Sequence, residues 1–490
     1  MVNFWESSVW GFILLLSVLM VSLLIANIIK RKIPFLKNSL IPTSVLAGGL
    51  LLIISITYTL IVENVGSLSE ALPKNIFNLK FFGEYGYATS DDGTAVKIGG
   101  LSVLETITYH ALALGFIATA FKPDSEKLNK KRSIEVFNTG VTTVSTYLLQ
   151  GTIGLTVTIL FPLLVGGFKA AGLILPFGYG QGTGQALNYG KIYETLGFGN
   201  GSSFGLTIAA LGFISASIGG IIHLNLIKNK NSKAISANAD EVEELTLENV
   251  QNKDESPMTG SIDKLSIQLG IILLTYVISY GIMVALGMMI SGMKATIYGF
   301  NFLLGVLVAS LVNHIVKRLR KKRIMKRQYI NSFLMKRIAG FFFDLMVVSG
   351  IACIRFEAIK QYWVSFIILG ILGAVSTYFY LRIVCKKLFP NYIEEQFLML
   401  YGMLTGTAST GLILLREKDN NLATPAADNM VFQNLPAIVF GFPLLLLANL
   451  APSKPILTFI IIIAFFAVMN IILFRDFIFK KKQKKDTDNK

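Results

Sequence analysis

The sequence has few of the residues that build metal centres and disulfide frameworks. Its 490 residues include two cysteines, Cys353 and Cys385, and three histidines, His110, His223 and His314, all widely separated. Both cysteines fall in or beside apolar stretches, where a small buried hydrophobic side chain is expected. The sequence therefore excludes a disulfide scaffold and a zinc cluster of ordinary ligand spacing.

Charged residues are also scarce. They make up 15% of the chain, whereas hydrophobic residues make up 53% and the mean hydropathy is +0.60. These values are far from those of soluble globular proteins. Windows such as 9–29 and 41–62 contain about 20 consecutive uncharged, mostly apolar residues, which is the length that crosses a bilayer. The composition predicts an all-α polytopic membrane protein.

The net charge of +16 lies in short basic runs at the ends of apolar stretches. These runs, as at 30–37, 122–132 and 317–327, do not form the aromatic-interleaved patch of a nucleic-acid surface. They alternate with base-poor connections, so the positive-inside rule predicts an N-terminus outside and a C-terminus inside. No basic segment precedes 9–29, and we expect a retained helix there, not a cleaved signal peptide.

This orientation requires an odd number of membrane-spanning helices. Eleven segments satisfy it, at about 9–29, 41–62, 99–121, 134–162, 203–227, 265–290, 295–316, 338–359, 361–385, 430–449 and 455–479. A polar segment without aromatic residues, at 228–262, predicts a cytoplasmic linker. It separates a five-helix half at 1–227 from another at 263–449, and an additional helix with a basic tail follows at 450–490.

Each half contains one glycine-rich segment between its fourth and fifth predicted helices. The segments are FGYGQGT at 177–183 and YGMLTGT at 401–407, and both follow the order aromatic-Gly-x-x-x-Gly-Thr, here called the Gly-Thr pattern. Because the two halves begin on opposite sides, this predicts inverted repeats. Each repeat would carry a re-entrant hairpin, near 169–190 from outside and near 391–416 from the cytoplasm.

Non-helical backbone at membrane depth is tolerated only where protein or water satisfies its N–H and C=O groups. Glycine lets the main chain approach a ligand closely. Freed amides and helix N-termini favour carboxylates, whereas freed carbonyls and hydroxyls favour a small cation such as sodium. The two segments therefore predict a binding site, with close helix packing as the alternative role for their glycines. A nucleotide-binding loop is excluded because GYGQGTGQ lacks the terminal Lys-Ser/Thr, and we expect no enzyme activity.

Ionisable residues within predicted spans are costly and are candidates for function. Glu105 and His110 lie deep in the third predicted helix, and Asp344 lies in the eighth. A polar contact between helices and a role in coupling transport to cations or protons both account for these three residues. His223 and Arg355 lie near predicted helix ends, where snorkelling toward water explains them.

These features resemble the bacterial sodium/glutamate symporter family. The likeness lies in FLKNSLIPTSVLAGGLLLI at 35–53, in GQGTGQA at 180–186 and in FGLTIAALGFISASIGGII at 204–222, and it covers most of residues 9–449. It implies two inverted five-helix repeats, a homodimer in the bacterial cytoplasmic membrane, and import of glutamate with sodium. No cofactor besides the coupling ion is implied.

The resemblance assigns substrate and ion binding to the two glycine-rich segments. The residues concerned are Gly180, Gln181, Gly182, Thr183, Gly184, Gln185, Thr405, Gly406, Thr407, Ser409 and Thr410. Gln181 replaces a histidine of the family, and the second segment differs more, so a related small carboxylate is an alternative to glutamate. A proton-coupled or exporting carrier of another organic anion, and a membrane sensor or channel without coupled transport, are alternative functions.

Overall fold

The computed structural model describes most of the chain. The described residues are 3–38, 40–65, 68, 71–85, 87–89, 95–121, 130–228, 263–290, 294–299, 301–325, 327–419 and 424–478. Except for Lys228, the predicted linker at 228–262 lies outside them, as does the basic tail after residue 478.

Before the linker, the described chain consists of helices and one small hairpin. The helices are α1 (Ser7–Lys32), α2 (Pro34–Asn38), α3 (Thr43–Asn64), α4 (Gly100–Ala120), α5 (Lys130–Leu160), α6 (Ile174–Thr195) and α7 (Gly201–Lys228). Between α3 and α4, the strands β1 (Tyr87–Thr89) and β2 (Ala95–Lys97) pair antiparallel. The connection between α3 and α4 therefore includes a β-hairpin.

After the linker the described elements are all helices. They are α8 (Lys264–Met289), α9 (Lys294–Gly299), α10 (Asn301–Lys321), α11 (Ser332–Ala352), α12 (Phe356–Leu388), α13 (Ile393–Thr405), α14 (Ala408–Arg416), α15 (Ala426–Phe432), α16 (Asn434–Leu450) and α17 (Pro455–Leu473). Local sequence sets several of their starts. Asp263 caps α8 by accepting a hydrogen bond from the Ser266 backbone N–H, and Pro455 occupies the first turn of α17, where no N–H is needed.

Nine helices in the described ranges are long and apolar enough to cross a bilayer, which confirms a polytopic all-α architecture. They are α1, α3, α4, α5, α7, α8, α10, α12 and α17. Of the remaining predicted spans, the eighth corresponds to α11, which carries Lys336, Arg337 and Asp344 within 21 residues. The tenth is divided at Gln433 into α15 and α16. The inverted repeat stays a prediction.

The boundary between the eighth and ninth predicted spans was wrong. It was expected near residue 360, but α11 ends at Ala352 and α12 begins at Phe356. The physical reason lies in the backbone of Arg355, whose N–H donates to Ser203 Oγ at 3.1 Å. This contact satisfies an amide that the helix start leaves without an intrahelical acceptor.

The contacts between elements divide the chain into two compact units, and each unit draws on both sides of the linker. The first unit comprises Met1–Val21, Ile76–Lys127 and Ala234–Ala352. The second comprises Ser22–Asn75, Leu128–Lys233 and Cys353–Lys490.

The first unit is built around the packing of α4 on α11. The Thr108 and Ser349 hydroxyls lie 2.8 Å apart between these helices and are fully buried. A Cβ added to Gly115 would lie 2.7 Å from the Phe343 ring, so glycine at 115 lets the two helices approach closely. Small residues of this kind commonly form the interfaces of membrane helices.

The second unit contains both Gly-Thr patterns. Its α6 packs along α7 with very close backbone contact. A Cβ on Gly205 would lie 2.2 Å from the Ala186 carbonyl oxygen, and a Cβ on Gly190 would lie 2.4 Å from the Gly201 carbonyl oxygen. The helix α5 is buried along most of its length against α6, α12, α16 and α17. Both patterns thus lie among tightly packed helices, which positions them rigidly.

Candidate functional site

In both Gly-Thr patterns a helix is broken at the glycine that directly precedes the threonine. Within α6, Gly182 has φ 78° and ψ −172°, and its neighbours on both sides are helical. In the second pattern α13 ends at Thr405, Gly406 has φ −128° and ψ −106°, and α14 begins at Ala408. The second segment therefore forms two short helices joined at a turn. The opposite-side insertion of the two segments stays a prediction.

Side chains of α5 hold both broken segments at equivalent positions. The Tyr147 hydroxyl donates to the Gly180 carbonyl oxygen at 3.0 Å, and Gln150 Nε2 donates to that of Leu404 at 2.9 Å. Gly180 and Leu404 both occupy the fourth position of the Gly-Thr pattern, two residues before the break. Since Tyr147 and Gln150 are three residues apart on a helix, they share one face of α5. One helix face therefore positions both breaks.

The helix α7 brings the two segments together within one turn. A Cβ on Gly212 would lie 2.3 Å from the Thr405 carbonyl oxygen and 3.3 Å from Tyr179 Cα, so both segments pass close to this glycine. At Ser215, the hydroxyl lies 3.0 Å from that of Tyr179, and the carbonyl oxygen accepts a hydrogen bond from Tyr401 at 3.2 Å. The two patterns, more than 200 residues apart in sequence, are neighbours in the second unit.

Two amide groups beside these segments each have one atom without a hydrogen-bond partner among the described residues. They are Oε1 of Gln150 and Nε2 of Gln185, and the two side chains are 0% and 1% exposed. Leaving such a buried polar atom unpaired costs about 1–3 kcal/mol. Buried groups of this kind in native structures call for a specific explanation, such as a ligand, an ion or ordered water. Their position beside the breaks is consistent with ligand binding.

The remaining predicted residues of the site all lie in the second unit. Thr183 and Gly184 are buried, and Gln181 is partly buried. The Thr405 hydroxyl donates to the Tyr401 carbonyl oxygen at 2.6 Å. Thr407 caps α14, because its hydroxyl accepts a hydrogen bond from the Thr410 backbone N–H at 3.3 Å. The side chain of Ser409 lies outside the described part of the chain.

The three predicted coupling residues belong to the first unit, not to the unit with the broken helices. Glu105 is buried, with 5% of its surface exposed. His110 and Asp344 are exposed, and His110 Nδ1 lies 2.8 Å from the Tyr276 hydroxyl oxygen. The loop residues and the coupling candidates are thus placed in different units.

The neutral polar face of α5 was not predicted from the sequence. Thr143 donates to Gln433 Oε1 at 2.8 Å, and Thr139 accepts from Gln396 Nε2 at 3.2 Å. These residues continue the face of Tyr147 and Gln150, at positions 139, 143, 147 and 150. The spacing of three or four residues was present in the sequence. It gave no prediction because uncharged residues lack the high cost within a membrane helix that marks ionisable residues as candidates for function.

A second polar group ties α13 to its neighbours. Glu394 Oε2 accepts a hydrogen bond from Arg382 Nη1 at 2.6 Å and lies 2.7 Å from His223 Nε2. His223 Nδ1 lies 2.8 Å from the Tyr378 hydroxyl, which fits a neutral imidazole that donates to Glu394 and accepts from Tyr378. The expectation that His223 snorkels to water is wrong, since it is 3% exposed.

These four side chains line a cavity of about 330 Å³ together with Leu226, Ile227 and Lys418. Burial raises the pKa of the Glu394 carboxyl, but the hydrogen bonds and charges of Arg382 and His223 outweigh burial and lower it overall. The carboxyl is therefore ionised at neutral pH. It acts as an anionic tether at the start of α13.

The site by the breaks offers two kinds of neutral contact to a ligand. Gln185 presents an N–H group suited to an anion, and Gln150 presents an oxygen suited to a cation. The breaks at Gly182 and Gly406 place helix ends beside these two side chains. A scan against protein-family models finds no match to this chain, and a search of the curated proteins finds none.

Proposed function

We propose that this protein is a sodium-coupled secondary transporter that imports glutamate or a related small carboxylate, as in the sodium/glutamate symporters that its sequence resembles. The observation that carries the proposal is the pair of broken helices in one compact unit, held by the same face of α5 and the same turn of α7. Broken helices with buried polar backbone are the usual substrate sites of secondary transporters. Access to the site would alternate between the two membrane faces.

The carboxylate is expected to bind between the two breaks. Helical segments begin after Gly182 and at Ala408, and the positive end of a helix dipole favours an anion. The unpartnered Nε2 of Gln185 adds a side-chain donor one turn after the first break. The substrate carboxylate would therefore be bound by uncharged hydrogen-bond donors.

The buried polar side chains of the second unit support a metal cation over a proton as the coupling ion. Among those in its described ranges, His223 is the only buried polar residue with an ionisable carboxyl, amino or imidazole group. A proton carrier requires such a group near the substrate, whereas sodium is bound by neutral carbonyl and hydroxyl oxygens. We therefore favour sodium.

The direct test is substrate uptake into proteoliposomes. An inward sodium gradient should drive accumulation of labelled glutamate, and an equal choline gradient should not. An inside-negative potential should increase uptake if the cycle is electrogenic, because it contributes about 2.3 kcal/mol per charge per 100 mV. The Gln185→Glu variant places a carboxylate beside the substrate carboxylate, and we expect its apparent affinity for glutamate to fall at least about tenfold. Uptake indifferent to sodium would refute the proposal.

One observation favours a second candidate, a proton-coupled carrier of another organic anion. Glu105 is a buried carboxylate within a membrane-spanning helix, and such groups often relay protons. In this case a pH gradient without sodium should drive transport, and Glu105→Gln should abolish it. Transport that follows sodium and is unchanged in Glu105→Gln would eliminate this candidate.

A further inference from the structure

We propose that Gln150 is a ligand of a bound monovalent cation, held by its side-chain oxygen at the C-terminal end of α13. The inference rests on the proposed function, because the cation is either the coupling ion or the ammonium group of an amino-acid substrate. Gln150 lies on α5, outside both glycine-rich segments. It therefore adds a residue to the site that the Gly-Thr patterns do not include.

The orientation of the Gln150 amide is fixed by its partners. Nε2 donates to the Leu404 carbonyl oxygen and to the Thr377 hydroxyl, both at 2.9 Å. A carbonyl oxygen only accepts hydrogen bonds, so exchanging the amide nitrogen and oxygen would place two acceptors in contact. The oxygen must therefore occupy the other position, where no described residue donates to it.

The surroundings of this oxygen favour a cation. Leu404 lies in the last turn of α13, where carbonyl groups have no intrahelical donor and the helix dipole is negative. The next carbonyl oxygen in the chain, that of Thr405, lies against α7 at Gly212. Carbonyl oxygens at the end of an interrupted helix are the ligands that transporters use for sodium. The uncharged amide oxygen of Gln150 would add one more ligand to these carbonyl oxygens, and it does not take up a proton.

The neutral chemistry also limits which cation fits. The described hydrogen-bond partners of Gln150 are the Thr377 hydroxyl and the Leu404 carbonyl oxygen. Neither is a carboxylate, and calcium and magnesium sites in proteins depend on carboxylates. A monovalent ion, or an ammonium group with N–H donors, matches an uncharged oxygen site.

The test separates ligand binding from a structural role by using two substitutions of Gln150. Gln150→Met and Gln150→Glu both remove the N–H that bonds Leu404, but only Gln150→Glu keeps an oxygen in place. Gln396→Met is the matched control, because Gln396 is also 0% exposed and both ends of its amide have partners, Thr139 and Asn429. The full-length protein is purified, and its thermal unfolding is followed as sodium replaces choline at constant ionic strength.

Sodium should raise the unfolding temperature of the wild-type protein by mass action. We expect Gln150→Met to raise the sodium midpoint at least about tenfold, as loss of a metal ligand or its support commonly does. Gln150→Glu should retain sodium stabilisation, and Gln396→Met should lower the unfolding temperature without moving the midpoint. If Gln150 is structural only, both variants will be destabilised but both will keep the wild-type midpoint.

A second arm identifies the source of the cation. It compares the binding of glutamate with that of glutarate, which has no ammonium group. An unchanged sodium midpoint with a lost preference for glutamate in Gln150→Met assigns the oxygen to the ammonium group. An unchanged midpoint with an unchanged preference overturns the proposal. Sodium binding does not require transport, so a protein that fails in the uptake assay but loses sodium stabilisation in Gln150→Met would refute the proposed function alone.

Discussion

At the scale of single residues, Gly182 carries the strongest local constraint in the site. Its φ of 78° with ψ near −172° is a backbone conformation that residues with a Cβ adopt only under strain. Gly180 serves a different purpose, since a Cβ there would lie 2.1 Å from the Tyr147 ring. Gly182 allows the break, and Gly180 leaves room for the Tyr147 side chain that holds the segment.

Gly182→Ala should therefore destabilise the protein or displace the break. The strain of this conformation is of order 1–3 kcal/mol. We expect a lower unfolding temperature and a loss of substrate binding, measured on the same purified sample. Gly49→Ala is the control, because Gly49 lies within α3 and a Cβ there meets nothing within 4 Å. In that variant stability should be unchanged or slightly raised, since alanine favours helix. Equal stability of Gly182→Ala and wild type would show that the break does not depend on glycine.

At the scale of elements, α13 is held at both ends. Gln150 bonds its last turn, and Glu394 bonds its first turn to Arg382 of α12 and His223 of α7. A short helix of 13 residues is marginal by itself and needs such tertiary support. The position of the second break therefore depends on residues far from it in sequence.

Glu394→Gln should weaken the first-turn tether in a pH-dependent way. Because the folded pKa of Glu394 is lowered, its stabilisation is fully present above the ordinary glutamate pKa and is lost as pH falls through the lowered value. At neutral pH the variant should unfold a few degrees below wild type, and the difference should shrink as pH falls below the ordinary glutamate pKa of about 4.3 and disappear below the lowered pKa. Glu395→Gln is the neighbouring control, since no hydrogen bond of its carboxyl is described, and it should have little effect. A constant difference at all pH values would contradict an anionic tether.

The sequence predicted the elements better than it predicted their partners. Apolar length identified the membrane helices, and the shared Gly-Thr pattern marked the two segments within which the breaks lie, at Gly182 and Gly406. These features are local, so the sequence carries them directly. The role of α5 was not predictable in this way, because the bonds from Tyr147 and Gln150 join residues 33 and 254 positions apart. The division of the tenth predicted span at Gln433 did have a local signal, since Gln433 and Asn434 interrupt the apolar run there.

At the scale of the whole molecule, each compact unit combines helices from before and after the linker. A prediction that follows chain order divides the protein at 228–262, whereas the units follow tertiary contacts. Both broken helices fall in the second unit, and the three ionisable coupling candidates fall in the first. In the proposed transporter this assigns substrate binding to one unit.

The predicted orientation of the whole chain can be tested by labelling two positions of the second unit. Leu163 precedes α6 and is 93% exposed, and Asn391 precedes α13 and is also exposed. The inverted repeat places Leu163 outside and Asn391 in the cytoplasm. A membrane-impermeant maleimide should therefore label Leu163→Cys in intact cells and Asn391→Cys only in inverted vesicles. The natural Cys353 and Cys385 are buried, so the unmodified protein serves as the background control. Labelling of both introduced cysteines from one side would require the two segments to insert from the same face, which opposite-side repeats do not allow.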